Sequence, residues 1–342
     1  MAKLIIQIPC FNEEHTLPAT LADLPRSVPG FDVVETLVID DGSGDRTSEI
    51  ARTAGANYLL RFPIHLGLAK AFSAGLDAAL KLGADVIVNT DADGQYRGAD
   101  IPRLVQPIVR GEAEMVIGDR APSRLAHFGP FKRLLQGVGS WVVQQLSGTA
   151  VPDATSGFRA FSRRAALRLN VLTKFTYTHE TIIQAGKKHI AIAHVPIEVN
   201  PDTRPSRLFG SISVYLRRSV PTLFRIYSLY EPFKIFWTLG GTMIAVGVGL
   251  GVRFLFDWWA DGGAGHIQSL ILVAVLLIVG VQTAMFGMIA DLIGGNRSLL
   301  EDTLFRVREL ELTLSAEPEV VRLSGSERPV AERLRAQGGP PR

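Results

Sequence analysis

The residues with the clearest capacity for chemistry are Asp91, Asp93 and Gln95, within Val88-Asn89-Thr90-Asp91-Ala92-Asp93-Gly94-Gln95. Two carboxylates and an amide oxygen form a hard, oxygen-only donor set. Such a set suits Mg2+ or Mn2+ held partly by the phosphates of a substrate. In an extended chain alternate side chains point the same way, so Asp91 and Asp93 can converge on one point. The same residues also fit a solvated Asp-Gly turn after a strand. Taken alone, the motif leaves both readings open.

A second acidic pair, Asp40-Asp41, runs into Gly42-Ser43-Gly44-Asp45-Arg46-Thr47. The elements that carry both pairs follow from patterning. Residues 4–9, 33–39, 56–61 and 85–88 are short apolar runs and read as buried strands. Residues 68–82 have a helical pattern. Each strand passes to a helix through a polar or glycine-bearing turn. This rhythm predicts an α/β domain with a mostly parallel sheet covered by helices. Ligands bind such sheets beyond the carboxyl ends of the strands, where both acidic pairs fall. Asn12 is placed to cap the helix after the first strand, and Asp45 with Thr47 to begin the next.

Composition sets the outer limits. At 342 residues the chain holds one large domain or two modest ones. Its net charge is +3, with basic residues spread along the chain, which excludes a massed nucleic-acid footprint. Cys10 is the single cysteine, so no internal disulfide forms and a reducing compartment is expected. The stretch between Lys3 and Pro9 is too short for a secretory signal. The other histidines, apart from His65 and His179, show no metal spacing. No Gly-x-Gly-x-x-Gly follows the first strand, which argues against a nicotinamide-dependent dehydrogenase.

Four motifs in order carry a resemblance. Pro9-Cys10-Phe11-Asn12-Glu13, residues 38–47 and Asp91-Ala92-Asp93-Gly94-Gln95 resemble the hallmarks of family 2 glycosyltransferases with the GT-A (Rossmann-like) fold. Asp153-Ala154-Thr155-Ser156-Gly157-Phe158-Arg159-Ala160-Phe161 is similar to the polyprenyl-phosphate branch, which includes dolichol-phosphate mannose synthase and bactoprenol glucosyltransferases. The resemblance spans roughly residues 3–230. It implies inverting transfer from a nucleotide-diphosphate sugar, a UDP-sugar ahead of GDP-mannose, to undecaprenyl or dolichyl phosphate. It implies Mg2+ or Mn2+ at Asp91, Asp93 and Gln95. Donor recognition falls to Pro9, Asn12, Glu13, Asp40, Asp41, Asp91 and Asp93.

The acceptor side calls for arginine, whose fork binds phosphate oxygens bidentately. Arg120 matches the family's arginine at the end of a strand and is the leading candidate. Arg159 follows the Ser-Gly-Phe turn and could reach either phosphate. Arg204 and Arg207 stand where a lipid phosphate would enter. Arg124, Lys132 and Arg133 read better as solvated or lipid-facing charges. The resemblance sets Asp153 beside the sugar, to orient substrate, with general base as the weaker role. Glu180 matches an acidic position common in relatives and equally fits a helix-start carboxylate. Two places depart from the family. Thr203-Arg204-Pro205-Ser206-Arg207 replaces a Gly-x-Ser-Lys type of segment, and Gly67-Leu68-Ala69-Lys70 displaces a lysine.

The C-terminal third differs in kind. Residues 233–256 and 267–290 are almost wholly apolar and long enough to cross a hydrocarbon core of about 30 Å. Arg217, Arg218, Arg225 and Lys234 precede the first run, and Arg297, Arg306 and Arg308 follow the second. Asp257, Trp258, Trp259 and Asp261 lie between. This asymmetry predicts an integral membrane hairpin with the catalytic domain and both termini cytoplasmic; the resemblance to bactoprenol glucosyltransferases favours a prokaryotic plasma membrane. Residues 207–231 mix apolar, aromatic and arginine positions and read as interfacial helices on the lipid bilayer. The expected division is a catalytic domain at 1–206, interfacial helices at 207–231, two spans at 232–293, and a cytoplasmic helix with a disordered tail at 294–342. Gly240, Gly241, Gly247, Gly249 and Gly251 allow close helix packing, within a chain or in a homo-oligomer. Two other functions compete. One is extension of a polysaccharide or other glycan, although the Gln-x-x-Arg-Trp motif of processive synthases is missing. The other is a degenerate membrane assembly partner, which predicts an impaired acidic site; Asp91, Asp93 and Gln95 are all present.

Overall fold

The computed structural model describes residues 2–120, 144, 147–149, 151–171, 177–200, 228, 231–261, 267–314 and 321–323. The chain divides into two compact units, Met1–Leu208 with Val307–Arg342, and Phe209–Arg306.

In the first unit the apolar runs become β1 (Lys3–Cys10), β2 (Val33–Asp40), β3 (Tyr58–Arg61) and β4 (Val86–Asn89). Helices α1 (Leu17–Asp23), α2 (Thr47–Thr53) and α3 (Leu68–Lys81) alternate with them, and α4 (Ile101–Val109) follows β4. β1 is parallel to β2 and β4, and β2 is parallel to β3. β5 (Met115–Asp119) is parallel to β7 (Ile192–Pro196). β6 (Arg159–Ser162) runs antiparallel between β4 and β5. Helix α5 (Arg163–Arg168) follows directly, capped by the Ser162 hydroxyl, which accepts the Ala165 N–H at 3.1 Å. Helix α6 (Thr178–Lys187) precedes β7. With β8 (Val321–Arg322) the strand order is β7-β5-β6-β4-β1-β2-β3-β8. The expected α/β architecture with a mostly parallel sheet is present.

Register places the functional loops together. Cys10 pairs with Asp40, and Gln7 pairs with Asn89. The central strand β1 therefore ends beside both β2 and β4, and their loops open at one end of the sheet. Beneath them lie two buried clusters. Leu4, Ile6, Val88, Leu104, Val116 and Phe158 belong to one, and Ile8, Leu17, Val38, Ala51 and Leu59 to the other.

The expectation of a disordered tail fails at residues 321–323. Val321 and Arg322 pair antiparallel with Leu59 and Tyr58, and the Leu323 N–H donates to the Asn57 carbonyl at 2.7 Å. β3 would otherwise be an edge strand with unpaired backbone groups, and the tail satisfies them.

The second unit contains α7 (Pro232–Asp261) and most of α8 (Ile267–Leu314). Both are long and apolar enough to cross a membrane, and only 11% and 17% of their apolar stretches are buried. That exposure is the reverse of a core helix in a soluble protein. A Cβ on Gly240 would lie 2.6 Å from the Gly280 carbonyl oxygen, so bare backbone lets the two helices touch. Gly241 and Gly249 face open space. The helix expected after the second span is present and continuous with it. α8 continues for 48 residues through Gly294 and Gly295, with Arg297 bonded to Glu301 one turn on at 2.8 Å. Apart from Ser228 and Glu231, the expected interfacial segment 207–231 lies outside the described residues, as do Arg124, Lys132, Arg133, Arg204 and Arg207.

Candidate active site

The loops after β1, β2 and β4 carry the candidate residues at one end of the sheet. Asn12 does not cap α1, which begins at Leu17. It takes a left-handed conformation (φ 54°) that asparagine tolerates, and it bridges two loops. Its N–H donates to Ser43 Oγ and its Oδ1 accepts from the Gly44 N–H, both at 2.9 Å. Beside it the Glu13 N–H donates to Thr47 Oγ1 at 2.9 Å, and the Glu14 N–H to Asp45 Oδ2 at 3.1 Å. Pro9 is buried in β1, opposite Ile39.

The Asp40 and Asp41 carboxylates are turned to loop bracing rather than left open to a ligand. Both are buried. Asp40 accepts from the Ser43 N–H at 2.9 Å and from the Ser48 hydroxyl. Asp41 accepts from the N–H groups of Leu66 and Gly67 at 2.7 and 2.8 Å, with His65 Nδ1 2.9 Å away. The His65 ring stacks on Phe11, centroids 3.9 Å apart. Asp40 thus braces the turn into α2, and Asp41 fixes the β3–α3 loop.

The first acidic pair lies in a turn, not in extended chain. Asp93 Oδ1 accepts the Gln95 N–H at 3.0 Å, an Asx-type turn. The motif is thus an Asp-Gly turn that carries two carboxylates. Burial, and then the Asp93 charge, push the Asp91 carboxyl up to about 7, against the pull of Arg120. Among the described residues no group of three or more His, Cys, Asp or Glu side chains could hold a metal alone. Two mutually repelling carboxylates fit a hard divalent ion that takes its remaining ligands from a substrate's phosphates.

Asp153, ahead of β6, and Arg120, directly after β5, form an ion pair. Arg120 Nε and Nη2 donate to the two Asp153 oxygens at 2.7 and 3.0 Å, and Nη2 also donates to Thr155 Oγ1 at 2.7 Å. Asp153 is 1% exposed. Burial alone would raise its carboxyl, but the Arg120 hydrogen bonds and charge outweigh that and hold it below the usual carboxylate range. Burial would likewise pull Arg120 down; Tyr96 and Asp153 reverse it, and the guanidinium sits above its ordinary value. The pair is ionised across the neutral range.

The glycosyl transferase family 2 model matches residues 5–169. UDP-N-acetylglucosamine–dolichyl-phosphate N-acetylglucosaminyltransferase of Methanococcus voltae is 30% identical over 216 residues, covering 56% of this chain and 83% of that protein. This chain belongs to glycosyl transferase family 2. Glycosyltransferase AglJ of Haloferax volcanii is 29% identical over 318 residues, 90% of this chain and 97% of its own length. A solved structure of glucosyl-3-phosphoglycerate synthase from Mycobacterium tuberculosis, holding Mn2+, UDP-glucose and phosphoglyceric acid, superposes with a TM-score of 0.51 at 22% identity, over 66% of this chain and 80% of that one. That likeness supports the fold.

Arg159 is placed differently from the sequence expectation for this glycosyltransferase. It is fully buried, and its Nε, Nη1 and Nη2 all donate to protein. The acceptors are the carbonyls of Ser156, Thr178 and Ala154, and Thr181 Oγ1, at 2.6–3.0 Å. It ties residues 154–156 to α6 and is turned away from a phosphate role. Glu180 is buried in the first turn of α6 and accepts from Gln184 Nε2 at 3.3 Å. Three residues escaped sequence reasoning: Asn89, Tyr96 and Tyr177. Asn89 ends β4 and, like Gln7 opposite it, is a fully buried polar side chain in an apolar strand. That placement was the available signal, because a buried amide must find partners.

Proposed function

We propose that this glycosyltransferase moves a sugar from a nucleotide-diphosphate sugar to a polyprenyl phosphate at a membrane surface. The observation that carries the reading is the pairing of opposite devices on one loop. Residues 153–157 hold the Asp153–Arg120 pair at one end and abut Asp91 at the other. Asp91, Asp93 and Gln95 would hold Mg2+ or Mn2+. When bound, the ion neutralises the diphosphate leaving group as a Lewis acid.

The chain's own residues do the rest. A phosphate acceptor is already anionic near neutral pH, so transfer needs no strong general base. Asp153, held ionised by Arg120, is suited to fixing that arginine rather than to taking a proton. A guanidinium pinned in advance can stabilise phosphate charge without reorganising during transfer. Asp40 and Asp41 act through the loops they brace, with Pro9, Asn12 and Glu13 lining the same donor region. Arg159 acts through the 154–156 segment. Arg204 and Arg207 keep their assignment to the acceptor phosphate on sequence alone. Displacement is direct, with inversion at the anomeric carbon. The donor named for the Methanococcus relative supports a UDP-sugar here, with GDP-mannose second. The arginine flanks of the two apolar helices support a cytoplasmic catalytic unit.

A donor panel tests the reading. Purified protein in detergent, with Mn2+ or Mg2+ and undecaprenyl or dolichyl phosphate, is given labelled UDP- and GDP-sugars in turn. The expected outcome is label in the organic phase from one donor, abolished by EDTA. Nucleotide release with no lipid labelling would favour a glycan acceptor, and no turnover would favour the assembly-partner reading.

A further inference from the structure

We infer that Asn89 is a positioning residue that fixes Asp91 against the loop carrying Asp153. Asn89 Nδ2 donates to the Gly157 carbonyl and to the Tyr177 hydroxyl, both at 2.9 Å, and its Oδ1 accepts from Gln7 Nε2 at 2.9 Å. The Tyr177 hydroxyl donates to the same Gly157 carbonyl at 3.3 Å. Its ring is stacked on Phe72 at 3.8 Å and 4°, so the hydroxyl has little freedom to swing. From the other side the Gly157 N–H donates to the Tyr96 hydroxyl at 3.0 Å. Both polar groups of Gly157 are thereby held by buried side chains.

Gly157 in turn carries Asp91. A Cβ at this position would lie 2.9 Å from Asp91 Oδ2 and 3.0 Å from the Tyr177 hydroxyl. The carboxylate leans on bare backbone that Asn89 keeps in place. On the same loop, Asp153 Oδ1 accepts the N–H groups of Thr155 and Ser156 at 3.2 and 3.1 Å. A shift of Gly157 therefore changes the spacing between Asp91 and the Asp153–Arg120 pair. An amide meets all three demands at position 89, since its nitrogen donates to both Gly157 and Tyr177 while its oxygen accepts from Gln7. A carboxylate would face the Gly157 oxygen without a hydrogen and add a third negative charge beside Asp91 and Asp93.

The inference rests on Asp91 belonging to the donor site. The test compares wild type with Asn89→Ala, Tyr177→Phe, Asp91→Asn and Gln184→Ala. Gln184 pairs with Asn170 and serves as a stability control. Mn2+ binding is titrated by its EPR signal in the presence of UDP or GDP, and kcat and donor KM are measured separately. Loss of an outer-shell partner costs about 10- to 100-fold in metal affinity or rate. Asn89→Ala is expected to weaken Mn2+ about 10-fold and lower kcat by about 10- to 100-fold, with donor KM within about 3-fold. Tyr177→Phe moves the same way by less. Gln184→Ala lowers the melting temperature and leaves Mn2+ affinity and kcat alone. Wild-type Mn2+ affinity and kcat in Asn89→Ala, with Asp91→Asn impaired, overturn the inference alone. Unchanged Mn2+ affinity in Asp91→Asn overturns the donor-site reading and the inference with it. Equal losses in Gln184→Ala at a matched melting temperature reduce Asn89 to a stabilising residue. If Asn89→Ala does not fold, Tyr177→Phe decides, because it keeps the Phe72 stack; wild-type values there overturn the inference.

Discussion

Asp91 and Asp153 are carboxylates beside one loop, yet they are driven in opposite directions. Two hydrogen bonds from Arg120 defeat burial at Asp153, whereas burial and Asp93 prevail at Asp91. Arg120→Ala leaves the buried Asp153 charge unpaired. The expected cost is about 3–5 kcal/mol in urea unfolding, and a loss below about 1 kcal/mol would contradict the pairing. His179 shows the converse effect. Burial, and then the nearby Arg159 charge, lower it from 6.5 to about 4. The unfolded chain therefore takes up a proton below pH 6.5 that the folded chain refuses until about pH 4. Stability falls with pH across that window and levels off below it, by about 3 kcal/mol in all at about 1.4 kcal/mol per pH unit. His179→Gln should flatten this limb of the melting profile. An equally steep limb in the variant would contradict the assignment.

At the scale of elements, legibility tracked burial and length. β1, β2 and β4 are apolar, buried at their ends and bounded by turn residues, and the sequence pattern locates each to within a residue or two. β6 opens on a buried arginine, which hides a strand behind a motif. β7 is largely half-exposed, without a clean alternation, and β8 has only two residues. Neither carries a readable period. The acidic motifs were visible as chemistry, but the division of labour among them was not. Nothing in the spacing of Asp40 and Asp41 reveals that the 65–67 segment comes to meet Asp41; that depends on the return of the chain from β3. Arg159 and Asn89 are decided by tertiary partners in the same way. β8 yields its own prediction. Truncation after Leu314 uncovers the β3 edge and removes Leu323 from its core cluster. Hydrogen exchange at Asn57–Leu59 should quicken, with a stability loss of about 1–2 kcal/mol. Unchanged exchange would show that the edge is not held by this strand.

Across the whole molecule the chain leaves the first unit at Leu208 and returns to it at Val307. Between these points lie α7 and most of α8, joined closely where Gly240 meets Gly280. The same chain therefore carries the acidic and arginine groups proposed for phosphate chemistry and two helices long and apolar enough to cross a membrane. The proposed function joins the two as a metal-dependent transfer from a water-soluble donor to a lipid phosphate, centred on Asp93. The most direct measurement places membranes bearing wild type or Asp93→Asn with labelled nucleotide sugar and polyprenyl phosphate, with and without EDTA. The account predicts organic-phase label for wild type, lost with EDTA and at background in Asp93→Asn, while both proteins remain with the membranes. Wild-type labelling by Asp93→Asn, insensitive to EDTA, would contradict it.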